Sequence, residues 1–472
     1  MIRHDGLAGR RSARRLPSLV LRHPTLALVA LAVAIHAPFT GGGFLTDDFL
    51  HLERLERQTM GGVFTSADTF GFYRPLPQAS LVLDLWVVGP NAALLRLANV
   101  VLHAAVVAVA HVLARTLVGN GPGAFLAVVA FVLTPKAHPV AVLWISARAE
   151  LLMALFALTA LTCWIRWHRG GGRPWLACAW VAYLLSLMCK ETAVLLPLLM
   201  FLTPVTAGRA VNTRWVPLAG MLLTAGALLL ARLQVNALMP MSADPHYDLA
   251  TPLWRWFRNG RNYFWRALVS PIALIVMTAA AAFTHLRELA APANRMPLLR
   301  LLFYGVMWYV TFILPVLPIA ARSEHYLYLP VLGLCLPAGA AAGALFGRGR
   351  EHDRRVVAAL LVYVAGVGAF QLSRAAAIHA DAVFSARFVT AIRQSAALAD
   401  HAGTVVVVPA DETTRRFLQD AIGGYVGTAA VRALGRHVPA EVGRLDGVHD
   451  ADALVLTCSY VDGQVTLHPY EH

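Results

Sequence analysis

The chain has 472 residues, of which 58% are hydrophobic and only 14% charged, and its mean hydropathy is +0.60. A soluble domain carries about 25% charged residues, so lipid is the expected surrounding for most of the chain. The formal charge of +14 is divided into short clusters between apolar runs, as the positive-inside rule requires, and this argues against a nucleic-acid partner. Cys163, Cys178, Cys189, Cys335 and Cys458 show no CxxC or histidine-rich spacing. They read as small core residues rather than ligands or disulfides.

In chain order, membrane spans are expected near 19–39, 92–117, 121–134, 148–167, 174–189, 192–207, 215–232, 264–284, 299–318, 327–346 and 355–373. The first follows Arg3, Arg10, Arg11, Arg14 and Arg15. It reads as a retained helix rather than a signal peptide, because Pro38 and Gly41 to Gly43 lead into polar sequence with no A-x-A site. The fifth and sixth runs read as two helices meeting at Lys190-Glu191, since one long helix would hold both charges at mid-membrane. The fold class is therefore mainly α: a polytopic bundle of about eleven transmembrane helices with a small C-terminal α/β domain. The expected organisation is a cytoplasmic segment 1–18, a transmembrane domain 19–374 and an extracytoplasmic α/β domain 375–472. Within that last unit, strands are expected near 404–409, 453–458 and 464–468, and a helix over 411–421 opening at Asp411-Glu412.

With the arginine-rich N-terminus in the cytoplasm, alternate connections hold Arg115, then Arg166, His168, Arg169 and Arg173, then Arg209 and Arg214, then Arg287 and Arg295, then Arg348 to Arg355. Each cytoplasmic connection thus carries arginine. The opposite face receives Asp47-Asp48, Tyr73-Arg74, Lys136, His138, Arg148, Glu150, Lys190-Glu191 and the segment Arg322 to Tyr328. Ionisable groups at membrane depth are costly unless paired or facing a wet cavity, so a site at that face is the default hypothesis.

Asp47 and Asp48 follow the first span directly. Thr46 or Asp47 can cap an amphipathic helix carrying Phe49, Leu52 and Leu55, and the second carboxylate is then left for chemistry. Tyr73-Arg74-Pro75 opens a second amphipathic stretch that ends at Gly89-Pro90. Arg74 can pair with Asp47 or Asp48, or hold a phosphate in a two-pronged contact. Asp84, Arg96, Asn99 and His103 are expected as polar contacts between helices. The loop 239–266 carries Trp254, Trp256, Tyr263 and Trp265, read as an interfacial belt or, more sharply, a headgroup lid.

These residues resemble the GT-C glycosyltransferases, in the protein O-mannosyltransferase-like branch that includes the TMTC-type enzymes, and more distantly aminoarabinose transferase. The resemblance is carried by Asp47-Asp48, Y-R-P-L at 73–76 with D-x-W at 84–86 and N-x-x-L-H at 99–103, H-P-V at 138–140, W-I-S-A-R-A-E-L-L at 144–152, C-K-E-T-A at 189–193 and H-Y-L-Y-L-P at 325–330. It implies an inverting hexosyltransferase that moves a sugar from a polyprenyl-phosphate-linked donor to a hydroxyl on a protein, lipid or glycan acceptor. Asp47 or Asp48 is then the catalytic base. Arg74, Arg148, Lys190, Arg322, His325 and Tyr326 are implied as the donor-phosphate cradle. Tyr73, His138, Glu150, Glu191, Glu324 and Tyr328 are further site candidates. The family's R-Y-L reads here as R-S-E-H-Y-L, which moves weight from Arg322 to His325. No metal ligands are singled out, and a divalent metal is left open as a cofactor. The chain carries no tetratricopeptide repeats after its last span, unlike full-length TMTC enzymes, and a bacterial inner (cell) membrane is the expected location.

Two readings from other classes stand beside this one. A transporter or lipid flippase should show inverted repeats and polar residues near the midplane, whereas here the polar groups gather at one end. A non-catalytic scaffold for polyprenyl phosphate needs the same cations and no base. The orientation itself is testable: reporter fusions after residues 170, 210 and 350 should report cytoplasm, and one at residue 472 the outer side. A cytoplasmic C-terminus means that the span count is wrong by one.

Overall fold

Prolines and glycines divide the apolar runs into helices, and Pro24, Pro75, Pro122, Pro174 and Pro330 each sit in the first turn of one, where the missing N–H is not needed. The computed structural model describes residues 22–206, 215–237, 252–283, 292–320, 322–346, 350–395, 398, 403–434, 439–443 and 453–470. In chain order the helices are α1 (Pro24–His36), α2 (Asp48–Glu56), α3 (Pro75–Val88), α4 (Ala92–Val118), α5 (Pro122–Val132), α6 (His138–Leu143), α7 (Arg148–His168) and α8 (Arg173–Cys189). There follow α9 (Leu196–Thr206), α10 (Trp215–Gln234), α11 (Leu253–Ala281), α12 (Pro292–Ile313), α13 (Pro330–Gly343) and α14 (Arg350–Gln394).

Each of the eleven expected spans falls on a helix. Among the described residues six helical segments are long and apolar enough to cross a bilayer, and the helices at the other five expected spans are apolar but shorter. Among the short ones α5 and α13 are sheathed by the rest, whereas α1 and α8 bury only one side. At about 1.5 Å per residue, α5 is roughly half the hydrocarbon thickness, yet nine of its eleven residues are buried. It packs on α13 with backbones almost touching: a Cβ built on Gly339 would lie 2.2 Å from the Ala127 nitrogen, and one on Gly343 2.4 Å from the Gly123 backbone. Gly333 of α13 meets Gly305 of α12 in the same way. Small residues at such crossings let membrane helices approach closely.

Two elements run further than the apolar pattern suggests. Helix α11 begins at Leu253, so Trp254, Trp256, Tyr263 and Trp265 lie on a helix and not in a loop; residues 238–251 of that segment lie outside the described residues. Helix α14 runs unbroken for 45 residues across position 375, so the C-terminal unit rides on an extension of the last span. Cys178, expected in the core, is exposed.

Beyond the bundle's outer end (the end expected to be extracytoplasmic) sits a second layer made of α2, α3, the α14 extension and the C-terminal unit. That unit holds β1 (Val405–Pro409), α15 (Glu412–Phe417) continued by a π-turn over Leu418–Ile422, α16 (Val426–Leu434), β2 (Ala440–Val442), β3 (Leu454–Val461) and β4 (Gln464–Pro469). The strand order is β2-β1-β3-β4, with β1 parallel to both neighbours and β3-β4 an antiparallel hairpin. The hairpin turns at Asp462 and Gly463, both at positive φ, as a two-residue turn between right-twisted strands requires. Asp411 caps α15 by accepting from the Thr414 N–H at 2.7 Å. Helix α16 and strand β2 were not legible in the sequence. Phe384 of α14 stacks on Phe417 with centroids 5.3 Å apart, which seals the unit to the long helix.

The α5–α13 crossing leaves no room for a side chain. Gly339→Val should lower the unfolding temperature in detergent, consistent with an overpacking penalty of about 1–3 kcal/mol. Gly61→Ala, a position with nothing within 4 Å, should leave it unchanged. Equal melting of both variants and parent contradicts the packing described.

Candidate active site

The loop after α1 is held from three sides before it reaches its carboxylates. Gly42, at φ +94°, leaves no space for a Cβ against Ala382 of α14. The Gly43 N–H donates to the Ala382 carbonyl at 2.6 Å, and the Ser385 hydroxyl donates to the Phe44 carbonyl at 2.5 Å. From inside, the buried Arg96 guanidinium donates to the carbonyls of Leu143 (2.8 Å), Thr40 (3.4 Å), Gly41 (3.3 Å) and Gly43. From above, the Thr46 N–H donates to the Ala421 carbonyl of the C-terminal unit at 2.8 Å. Thr46 itself adopts φ +43°, an outlier for a β-branched residue that persists only where the surroundings over-determine it.

This conformation gives the two carboxylates different fates. Asp48 is fully buried and accepts three hydrogen bonds, from the Leu45 N–H (3.1 Å), the Ser146 N–H (2.9 Å) and the Ser146 hydroxyl (2.6 Å). It therefore bolts the loop to the 3-10 turn Ile145–Ala147. Asp47 stands at the N-cap of α2, but no side chain caps that helix, so the capping role expected of Thr46 or Asp47 is absent. Its carboxylate is 9% exposed and receives a long 3.5 Å contact from the Thr46 hydroxyl. Burial, then the neighbouring charge of Asp48, pushes the Asp47 carboxyl well above the ordinary range, opposed by hydrogen bonding to the Ser146, Trp144 and Thr46 side chains. Burial raises Asp48 as well, opposed by Ser146 and the Arg96 charge.

Asp47 faces a small cavity of about 40 Å³ with His51, Trp144 and Ser146 on its own side. Arg74, Glu150, Lys190, His325 and Tyr326 line the rest. Lys190 occupies the break between α8 and α9 in extended conformation; its ammonium pairs with Glu150 of α7 and lies 4.6 Å from the Tyr326 ring centre. Arg74 stacks over Phe72 at 3.8 Å and grips Glu191 through Nε (3.1 Å) and Nη2 (2.5 Å). It thus pairs with Glu191 rather than with either aspartate. Arg232 adds a second cation to Glu191 at 3.6 Å. His325 bonds the Ser323 hydroxyl through Nδ1 at 2.6 Å and lies edge-on to Trp144. Burial, then the charges of Lys190 and Arg74, holds its imidazole well below the usual range.

Of the residues expected in the site, Asp47, Arg74, Glu150, Lys190, His325 and Tyr326 come together, and Glu191 joins them through Arg74. The others lie elsewhere. Arg148 is buried against Asp84, Asn99, Ser80 and the Leu95 carbonyl, a helix-joining role. The Tyr73 hydroxyl donates to the Phe64 carbonyl at 3.0 Å. His138 and Tyr328 sit in the core with His103, whose Nδ1 lies 2.7 Å from the Tyr328 hydroxyl. Arg322 is exposed, and Glu324 faces Lys136, Arg266 and Arg374. His51, Trp144 and Ser146 were not singled out, although the W-I-S motif contains two of them. Among the described residues no group of three or more His, Cys, Asp or Glu is placed to hold a metal ion. A larger cavity of about 470 Å³ lies behind the loop, lined by Gly42, Phe44, Phe49, Asn91 and Arg432 among others and by no carboxylate.

Because both carboxyls titrate above their unfolded values, the folded state binds more protons through that window. The resulting stability is full below about pH 3.9 and is lost as pH rises through the raised values. Asp47→Asn should therefore melt no lower than the parent at pH 7 and show a flatter pH profile. Asp48→Asn should melt lower, since its amide oxygen can keep the two Ser146 bonds while its NH2 is set against the Leu45 N–H, at about 1–3 kcal/mol. Thermal unfolding in detergent between pH 5 and 8 checks both, and identical behaviour of the two variants contradicts the division of roles.

No protein-family model matches the chain. One segment of 135 residues, 29% of the chain, is 33% identical to the protein O-mannosyl-transferase TMTC2 of Homo sapiens; it spans only 16% of that protein's length. A segment of 106 residues is 35% identical to the TMTC2 of Mus musculus, again over a small part, 13%, of its length. The crystal structure of ArnT from Cupriavidus metallidurans bound to undecaprenyl phosphate superposes with a TM-score of 0.53 at 12% identity, covering 94% of each chain. The apo structure of the same protein gives 0.52. The chain is an integral membrane protein with the GT-C fold.

Proposed function

We propose that the chain is a membrane glycosyltransferase in which Asp47 deprotonates an acceptor hydroxyl as it attacks the anomeric carbon of a polyprenyl-phosphate-linked sugar. The observation that carries this reading is the inequality of the two aspartates: Asp48 is bonded to the Leu45 and Ser146 N–H groups and bolts the loop, whereas Asp47, steadied by the Ser146, Trp144 and Thr46 side chains, lines a cavity that has Arg74 and Lys190 in its wall. A base must be within reach of the proton it takes and have a pKa near the working pH, and burial moves Asp47 in that direction. Attack from the Asp47 side expels the polyprenyl phosphate on the other, with inversion. The leaving phosphate then needs fixed positive charge in a water-poor site, which Lys190 and Arg74 supply, with hydrogen bonds from Tyr326. Both cations are held by Glu150 and Glu191 in this closed arrangement, so a phosphate binds by exchanging with carboxylates, and the cations never sit bare in a low dielectric.

The resemblance of the fold to ArnT, whose structure holds undecaprenyl phosphate, supports a polyprenyl-phosphate donor. The similarity to TMTC2 supports a hexosyl, mannosyl-like sugar and a hydroxyl acceptor on a protein, lipid or glycan. The arginine distribution supports an extracytoplasmic site. The C-terminal unit serves the loop as its backing, through the Ala421 carbonyl, and offers the acceptor a surface.

Asp47→Asn keeps size and polarity and removes the base. It should lower transfer from radiolabelled polyprenyl-phosphate sugars by about 10²–10⁴-fold while donor binding stays near normal. Lys190→Met should instead weaken donor binding. Near-normal turnover by a well-inserted Asp47→Asn protein returns the transporter and scaffold readings to the front.

A further inference from the structure

Glu324 collects three cations from three separate elements. Its Oε2 lies 3.0 Å from Arg374 of α14, and its Oε1 lies 3.2 Å from Arg266 of α11 and 3.7 Å from Lys136 in the α5–α6 turn. Three positive charges against one carboxylate leave the cluster net positive, with Asp381 further along α14 acting on Arg374 alone of the three. The cationic side chains are 27–35% exposed and Glu324 13%, so the cluster opens outward. The helices that carry it are apolar outside: Trp265 and Ile272 of α11 and Phe370 and Leu372 of α14 are exposed, and the Lys136 ammonium lies 5.5 Å from the Phe370 ring centre. The Arg374 Nε is a buried donor with no acceptor among the described residues. None of the three cations lines the Asp47 cavity.

Uncompensated charge at a membrane margin is expensive, and a donor left empty adds to that penalty. An anion carrying several acceptor oxygens resolves both, because arginine forks match phosphate geometry. The exposed apolar side chains below the cluster suit hydrocarbon chains. We infer that Lys136, Arg266 and Arg374 form a docking site for the headgroup phosphate of an anionic bilayer lipid at the outer rim of the α11–α14 crevice, separate from the donor cavity. Glu324 holds the three cations in place between lipid visits and competes with the phosphate for them. This assignment does not depend on the transferase reading, since it uses no cavity residue.

The test uses the full chain in nanodiscs of phosphatidylcholine containing phosphatidylglycerol, followed by native mass spectrometry of retained lipid. The parent should keep at least one phosphatidylglycerol that an Arg266→Gln, Arg374→Gln double variant loses by fivefold or more. Glu324→Gln leaves the cations and removes their competitor, so its retention should rise above the parent's; a purely structural ion-pair cluster predicts no rise. If the double variant does not fold, the Glu324→Gln comparison decides alone. Millimolar inorganic phosphate should fail to displace the lipid. Complete displacement assigns the cluster to free phosphate and overturns the lipid source, and equal retention by all three proteins overturns the site.

Discussion

Charge burial governs the outer end of this bundle. Lys190 and Glu150 are both almost fully buried and pair with each other; Arg148 is 1% exposed and meets Asp84, Asn99 and a carbonyl; Arg96 spends its guanidinium on four carbonyls. Removing one partner of such a pair costs about 3–5 kcal/mol, because the other charge is left uncompensated. Each pairing therefore fixes the two elements that bear it, and the ends of α3, α4, α7 and α8 are located by their ions. Against that background a buried carboxylate with no ion pair among the described residues is conspicuous, and at the cavity that group is Asp47.

The strain at Thr46 belongs to the same economy of position. A β-branched residue at φ +43° carries a penalty of order 1–3 kcal/mol, and here its own N–H is taken by Ala421 of the C-terminal unit. The neighbouring residues are fastened to α14 by Gly43 and Ser385. A unit fused beyond the last span thereby reaches back to set the backbone of the first loop. Without that grip the strained residue relaxes, and the directions of the Asp47 and Asp48 side chains change together. The C-terminal unit is thus part of the loop's geometry, whatever else it recognises.

The helices under the apolar runs, the helix break at Lys190-Glu191 and the gathering of polar residues at one end were legible because they follow from hydropathy and from where charges fall along a helix. Which side of the helix a charge occupies was not legible. Arg148 and Glu150 are two residues apart on α7, a spacing that does not share a helix face: Glu150 looks into the cavity and Arg148 into the α3–α4 packing. Lys190 and Glu191 separate for the analogous reason, since extended backbone sends successive side chains to opposite sides. Asp47 and Asp48 part because of the Thr46 conformation, which no local pattern of residue types announces. Strand β2 has three residues and is defined by its pairing with β1, a non-local fact.

The segment that presents His325 and Tyr326 shows how the membrane core reaches the cavity. Tyr328, two residues on, points the other way, into a fully buried group where His103 bonds its hydroxyl and His138 packs edge-on at 4.8 Å between centroids. His36 continues the group at 5.1 Å from His103, and Gln371 of α14 comes within 3.5 Å of His36. Polar side chains in a bundle interior favour the few arrangements that satisfy them, so this group ties α1, α4, α6 and α14 to one setting of the Tyr328 side chain. One residue after the segment ends at Leu329, Pro330 starts α13, the helix whose glycines lie against α5 and α12. The segment therefore has no freedom at its far end either. Its histidine and its tyrosine are steadied at the cavity by Ser323, Trp144 and Lys190, and the backbone beneath them is fixed from inside the bundle, so a packing change around Tyr328 reaches the site without touching any group that lines it.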